Sequence, residues 1–363
     1  MKALLLSSIV LSSVVLPETR FINILTFVGD ARLVALGLDG EGALDGQSYL
    51  FNPWRLPSYK NLEVSYSLRP VNWRPGEGQN YSYLYGVVSI DSSESVSFYF
   101  YQNNLGEQVA IAKDEQTFYG NVEPYQYLYA FVYRKEIVPS LTFGIALKRY
   151  VASGNPFFVA VPGVDLFARI TGSATLGDFG VMYRRDVPTD SSTIGSLSFA
   201  SSITNLGSWI VYSKEIAYQM PRSLHLGATY EVKFVHDNLL RPSSLLLTAN
   251  YRNVLNAHDP DNHIYSGFGG ELGFADAVFL RLGFQMSPFS SIFGDSDTPL
   301  VATGFGVQLP LAKVGRMLSS FTLKFDYAVV PVYANQFGSF ITRDVSTNSI
   351  YTLRIGYRLS GDQ

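Results

Sequence analysis

The chain has 363 residues, with 27 Lys and Arg against 30 Asp and Glu, and no cysteine. A formal charge of -3 leaves no basic footprint for nucleic acid, and the missing thiols exclude disulfides, thiolate metal sites and a lipid-modified N-terminal cysteine. Aromatics make up 14% of the chain, with 24 Tyr, 25 Phe and 31 Gly, and mean hydropathy is +0.11, yet no internal apolar run reaches the roughly 18 residues that a spanning helix needs.

Met1-Lys2 followed by the apolar run Ala3 to Leu16 reads as a signal peptide over 1–16, with no clean cleavage motif after it. Residues 17–60 fit no strand pattern. They hold the small-residue stretch Ala31 to Gly37, an acidic glycine-containing stretch, and Tyr49 to Leu56 around Asn52-Pro53. Proline pushes the residue before it out of helical geometry, so Asn52-Pro53 reads as a structural turn. Residues 17–60 are therefore expected to form a plug or lead-in segment against a barrel, with Phe21, Leu25 and Phe27 as apolar anchors.

From residue 61 to 359 one pattern repeats: an alternating segment of about ten residues, then a turn. In Leu224–Phe234 the even positions are apolar, and His225, Thr229, Glu231 and Lys233 fall on the odd ones. Val278, Leu280, Leu282, Phe284 and Met286 alternate with Phe279, Arg281, Gly283 and Gln285; Phe321 to Val329 and Tyr351 to Leu359 behave alike. Successive strand side chains point to opposite faces, so each segment has one apolar and one polar side. Such segments are longer than sandwich strands and match the length that a tilted strand needs to cross hydrocarbon, about 9–11 residues.

Fourteen segments follow the template: 61–68, 80–90, 94–102, 124–134, 140–150, 173–184, 194–204, 222–235, 243–253, 262–274, 277–287, 300–309, 318–330 and 347–359. Their connections alternate between long (69–79, 103–123, 151–172, 205–221, 288–299, 331–346) and short, with 254–261 the one short member of the long set. Long outer loops against short periplasmic turns are the mark of an outer-membrane barrel. The expected fold is all-β, a transmembrane antiparallel barrel of about fourteen strands with an N-terminal plug, in the bacterial outer membrane. Its lumen face collects Glu63, Lys148, Arg184, Glu231, Lys233, Arg252, Glu271, Arg281, Lys324, Asp326, Arg354 and Arg358, a mixture of signs that reads as a salt-bridged interior.

No catalytic, cofactor-binding or metal-ligating residue is assigned. A barrel enzyme needs a nucleophile beside a base or a defined carboxylate pair, and no G-x-S-x-G appears. His258-Asp-Pro-Asp-Asn-His263 is composed of loop formers and reads as a solvated connection, His236 opens a turn, and His225 sits on a lumen face.

The stretch Ala31, Arg32, Ala35, Leu36, Gly37, then Glu41 to Gly46, then Leu50, Asn52, Pro53 and Leu56 resembles the opening of the PorV/PorQ-type outer-membrane proteins, relatives of the FadL fatty-acid transporter fold. Trp54 stands where that family has alanine. Asn205-Leu206-Gly207 and Asp326-Tyr327-Ala328 resemble two later strand motifs of the same family. In this resemblance Ala31, Arg32, Gly37, Asn52, Pro53 and Leu56 are structural positions. It implies fourteen strands with an N-terminal segment inside, and a non-enzymatic shuttle role in type IX protein export, with outer-membrane lipid, a large secretion translocon and secreted cargo proteins as partners. The alternative from another class is FadL-like passive transport of hydrophobic small molecules.

Overall fold

The computed structural model describes residues 30–37, 61–70, 80–104, 108–111, 118–122, 125–154, 170–187, 193–211, 217–234, 242–256, 264–286, 300–309, 311, 320–333 and 345–358. Among these residues one helix precedes the strands, α1 (Ala31–Ala35). The strands, in chain order, are β1 (Asn61–Pro70), β2 (Asn80–Ser89), β3 (Glu94–Asn104), β4 (Gln108–Ile111), β5 (Phe118–Val122), β6 (Tyr125–Val138), β7 (Leu141–Gly154), β8 (Ile170–Val187) and β9 (Thr193–Gly207). They continue with β10 (Ile210–Val211), β11 (Ala217–Tyr218), β12 (Ser223–Phe234), β13 (Pro242–Val254), β14 (Ile264–Phe274), β15 (Val278–Met286), β16 (Leu300–Leu309), β17 (Phe321–Tyr333) and β18 (Val345–Arg358).

Fourteen of these strands form one closed antiparallel barrel. Each pairs with its sequence neighbours, skipping only the short strands in the loops, and β1 closes on β18 from Asn61↔Arg358 to Leu68↔Tyr351. Closure removes the free edges that lipid could not satisfy, since every backbone donor and acceptor at membrane depth needs a protein partner. β4 and β5 pair with each other as a hairpin within 103–123, and β10 and β11 pair within 205–221, two stretches that alternation alone leaves as loop.

Alternation sorts the side chains as the pleat requires. On β15, Val278, Leu280, Leu282, Phe284 and Met286 face outward and are exposed, while Phe279, Arg281 and Gly283 face inward and are buried. Outward aromatics meet across strands: Phe98 and Phe131 at 5.6 Å, Phe100 and Tyr129 at 5.2 Å, Tyr327 and Tyr351 at 5.3 Å between ring centroids. Each such pair contributes roughly 0.2–1 kcal/mol over alanine.

The short connections lie at one end. Between β2 and β3 the Asp91 carboxylate accepts from Ser93 N at 2.6 Å, Ser93 Oγ at 2.9 Å and Glu94 N at 2.7 Å, and these bonds, the Ser93 amide first, hold Asp91 below the usual carboxylate range. Between β14 and β15, Ala275 and Asp276 both take φ of 52°, the hand that suits a tight hairpin, and Ala277 N donates to Phe274 O at 2.9 Å.

Leu282 is the central residue of β15 and faces outward. Leu282→Arg is expected to destabilise the barrel by about 2–4 kcal/mol, the cost of a cation on the lipid face near mid-bilayer. Urea unfolding in lipid vesicles measures it, and a change below about 1 kcal/mol would place Leu282 away from the hydrocarbon.

Candidate binding lumen

Residues 30–37 lie against the inward face of β14–β18, wholly buried. Asp30 caps α1, its side chain accepting from Leu33 N at 2.9 Å. Ala31 N, one of the donors that a helix start leaves unmet, gives its hydrogen to Thr352 Oγ1 at 3.0 Å, and Thr352 Oγ1 meets Ser67 Oγ at 2.8 Å. The helix stops after five residues because Gly37 turns the backbone to φ +92°, which L side chains rarely adopt.

Arg32 fastens this segment to the wall. Its Nε donates to Glu271 Oε2 and its Nη2 to Glu271 Oε1, both at 2.7 Å, a two-toothed fork. Glu271 Oε2 also accepts from Arg281 Nε at 2.5 Å, and Arg281 Nη2 lies 2.8 Å from Asp326 Oδ1. Arg354 reaches Asp30 and Glu63 at 3.5 Å each and Asp326 at 4.0 Å, and Lys324 stands 4.0 Å from Asp326. The network thus joins four carboxylates, Asp30, Glu63, Glu271 and Asp326, to four cations, Arg32, Arg281, Lys324 and Arg354. Formal charge cancels. Desolvation costs several kcal/mol per ion, and mutual attraction with several bonds per group offsets it.

Glycines let the segment approach. A Cβ at Gly267 would stand 2.1 Å from Gly37 O, one at Gly269 2.3 Å from Leu36 O, one at Gly283 2.3 Å from Gly37 N, and one at Gly304 2.6 Å from Ala35 Cβ. The wall of β14, β15 and β16 is therefore bare backbone where residues 35–37 rest on it.

The far wall has different chemistry. Tyr81, Tyr83 and Tyr85 on β2, Tyr99 and Tyr101 on β3, and Tyr150 on β7 all point inward and are buried, beside Leu128, Ala130, Val132, Ala174 and Leu176. The rings pack on one another, Tyr85 on Tyr99 at 5.6 Å and Tyr83 edge-on to Tyr101 at 5.9 Å. One register row shows the gradient around the barrel: Asp326, Thr352, Ser67, Tyr83, Tyr101, Leu128, Tyr150, Ala174. Along it, charge gives way to hydroxyl and then to a mixture of aromatic ring and aliphatic side chain.

A third cluster marks a bulge in the barrel wall. The β8–β9 register shifts between Gly177 and Phe179, and there Asp178 pairs with Lys148 and accepts from Asn205 N at 2.7 Å. Asn205, at φ 60°, also accepts from Lys148 Nζ at 3.3 Å and donates to Pro221 O at 2.9 Å. These bonds tie down an excursion of the chain that buries Ile210 and Met220 with the tyrosine face. His225, inward on β12, meets Thr204 Oγ1 through Nε2 at 3.2 Å.

Of the motif residues, Ala31, Arg32 and Gly37 all serve the docking of this segment, while Asn52, Pro53 and Leu56 lie outside the described residues, as do Phe21, Leu25, Phe27, His236, His258 and His263. Of the charged residues assigned to the lumen, Arg184 and Lys233 flank Glu231 at 3.8 and 3.7 Å, Lys233 being the exposed member at its strand end. Arg252 lies over the Tyr265 ring at 4.0 Å. The Arg358 side chain is outside the described set. Alternation did not single out the glycine cradle or the tyrosine face; the i, i+2 spacing of Tyr81, Tyr83 and Tyr85 was the visible signal for the latter.

No protein-family model and no curated protein matches this chain. Among solved structures it is similar to the Ralstonia pickettii toluene transporter TbuX, at 12% identity and a TM-score of 0.51, covering 92% of this chain and 99% of that one. It is similar also to the CymD monoaromatic hydrocarbon channel, at 10% identity and a TM-score of 0.52, covering 93% and 99%. At these identities the likeness shows the fold, a FadL-like barrel. With its closed fourteen strands and apolar outer belt, the chain is a bacterial outer-membrane protein.

Gly283→Val is expected to leave the barrel closed, since a β-branched residue suits a strand, while forcing residues 35–37 off the wall. Arg32, buried in the native protein, should then become a trypsin site in detergent solution. A variant as resistant at Arg32 as the wild type would show that the cradle does not hold α1.

Proposed function

We propose that this barrel passes hydrophobic small molecules across the outer membrane, along the tyrosine and aliphatic face of its lumen. The observation that carries the reading is the division of the lumen. One side joins six wall charges to Asp30 and Arg32 of the docked segment, and the other carries stacked rings and small aliphatic side chains, with Arg134 and the Lys148–Asp178 pair buried among them. An apolar solute can lie against the rings and aliphatic side chains without stripping water from a charge, and the ion pairs of both walls, Lys148–Asp178 included, are already made and do not compete for it. That the similar barrels TbuX and CymD are described as a toluene transporter and a monoaromatic hydrocarbon channel supports the same reading.

The N-terminal segment acts in this scheme as a plug. Side chains alone fill the interior of a barrel of only about eight strands, so fourteen leave space that a folded-in segment occupies. Polar solutes and ions are then excluded while an apolar solute moves between plug and tyrosine face.

The export role is implied by the PorV/PorQ resemblance, which is carried by residues 31–37, 41–46 and 50–56 together with Asn205-Leu206-Gly207 and Asp326-Tyr327-Ala328. Ala31, Arg32 and Gly37 have a sufficient structural reason in the docking of α1, one that requires no cargo. The two structural likenesses give export no support.

Ala130 lies on the inward face of β6, between Tyr99 and Lys148 in register, and Phe131 beside it faces outward. Ala130→Trp should lower the initial rate of radiolabelled toluene uptake by cells that depend on this barrel about tenfold, roughly 1.4 kcal/mol on the barrier. Phe131→Trp should leave it unchanged. Equal uptake by both variants, with equal amounts of folded barrel, would remove the tyrosine face from the path.

A further inference from the structure

The outer surface of the barrel sets a cation into its apolar belt. On β7 the outward residues run Ile145, 55% exposed, Leu147, 63% exposed, and then Arg149. Arg149 Nη1 donates to Thr175 Oγ1 at 2.8 Å and Nη2 to Ser173 Oγ at 2.6 Å, both hydroxyls coming from β8. Thr175 in turn donates its backbone N–H to Ser208 Oγ at 3.0 Å, so a second chain segment borders the same spot. Among the described residues no carboxylate pairs with Arg149, in contrast to the buried arginines Arg32, Arg281 and Arg354.

Position along the strand gives the depth. Arg149 stands nine residues beyond Ser140 in the short turn that opens β7. A tilted strand crosses the hydrocarbon in about 9–11 residues, which puts the guanidinium at the far, outer-leaflet boundary. Two aromatic neighbours of the interfacial kind agree: Tyr129, the register partner of Arg149, and Trp209, next to Ser208, both of them outward and exposed. At this depth a lipid-facing cation is tolerated, whereas near mid-bilayer it costs about 2–4 kcal/mol.

The two hydroxyls orient the guanidinium and leave its charge intact. They occupy two of its five N–H donors, and the remaining donors are free for an acceptor arriving from the membrane side. A fixed, planar fork at headgroup level suits a tetrahedral oxyanion.

We propose that Arg149, held by Ser173 and Thr175 and bordered by Ser208 and Trp209, is a binding site for the phosphate headgroup of an outer-leaflet lipid. The test uses the full purified chain in detergent, with native mass spectrometry after addition of lipid A, of phosphatidylglycerol in a separate arm, or of inorganic phosphate as competitor. The wild type should retain a lipid A adduct that Arg149→Gln lowers about tenfold, as loss of one charge-assisted fork implies. Arg185→Gln, an exposed arginine at the opposite end of β8, should change nothing. Should Arg149→Gln fail to fold, Ser173→Ala with Thr175→Val keeps the charge, releases the fork and should lower binding severalfold. Parallel loss of the phosphatidylglycerol adduct would extend the site to any lipid phosphate. Equal lipid retention by folded wild type and Arg149→Gln would overturn the proposal, as would full displacement of lipid A by inorganic phosphate, which would make the site one for free anions.

Discussion

The fork of Arg32 on Glu271 is the contact on which the rest of the interior depends. It joins a five-residue helix, too short to persist alone, to a wall strand 239 residues further along the chain. Glu271 Oε2 is shared between Arg32 and Arg281, and Arg281 is placed in turn by Asp326. Removing one member of such a buried set strands the others as uncompensated charges, typically at 3–5 kcal/mol. The balance of four carboxylates and four cations follows from that constraint and leaves the network with no net formal charge.

The glycine cradle and the ion network are two halves of one solution. An Arg–carboxylate fork works only when the backbones behind both side chains are close. Gly267, Gly269, Gly283 and Gly304 allow residues 35–37 to rest directly on strand backbone. With this wall occupied by charge and peptide, the apolar side of the lumen falls to the middle of β2, β3, β6 and β7, where Tyr83, Tyr85, Tyr99, Tyr101, Leu128, Ala130 and Tyr150 face inward between polar residues nearer the strand ends and Lys148. Tyrosine can line such a surface because its ring is apolar, and in register Ser65 and Ser67 of β1 stand between Tyr85 and Tyr83 and the charged wall.

The barrel was legible in the sequence to within a few residues per strand, because a bilayer imposes a strict period of two on every segment that crosses it. Leu282 outward and Arg281 inward could be read directly. The lumen was legible in its charges and obscure in its aromatics. Tyrosine suits a lipid girdle and a barrel interior equally, so Tyr81, Tyr83 and Tyr85 gave alternation no face to choose. Glycines inside strands looked like neutral small residues, and their purpose depends on a partner more than 200 positions away. The β8–β9 bulge at Asp178 was hidden for a related reason: a single extra residue leaves composition and period nearly unchanged.

Amide hydrogen exchange over residues 33–37, read by mass spectrometry on the folded barrel, tests the central claim most directly. Leu33, Val34, Leu36 and Gly37 are all buried or hydrogen-bonded within the docked segment. If the charged wall holds α1 as part of the native barrel, these amides exchange as slowly as those of β15 and β17, and Glu271→Gln accelerates them while the strand amides stay protected. Exchange of this segment within seconds in the wild type, against protected strands, would contradict the account.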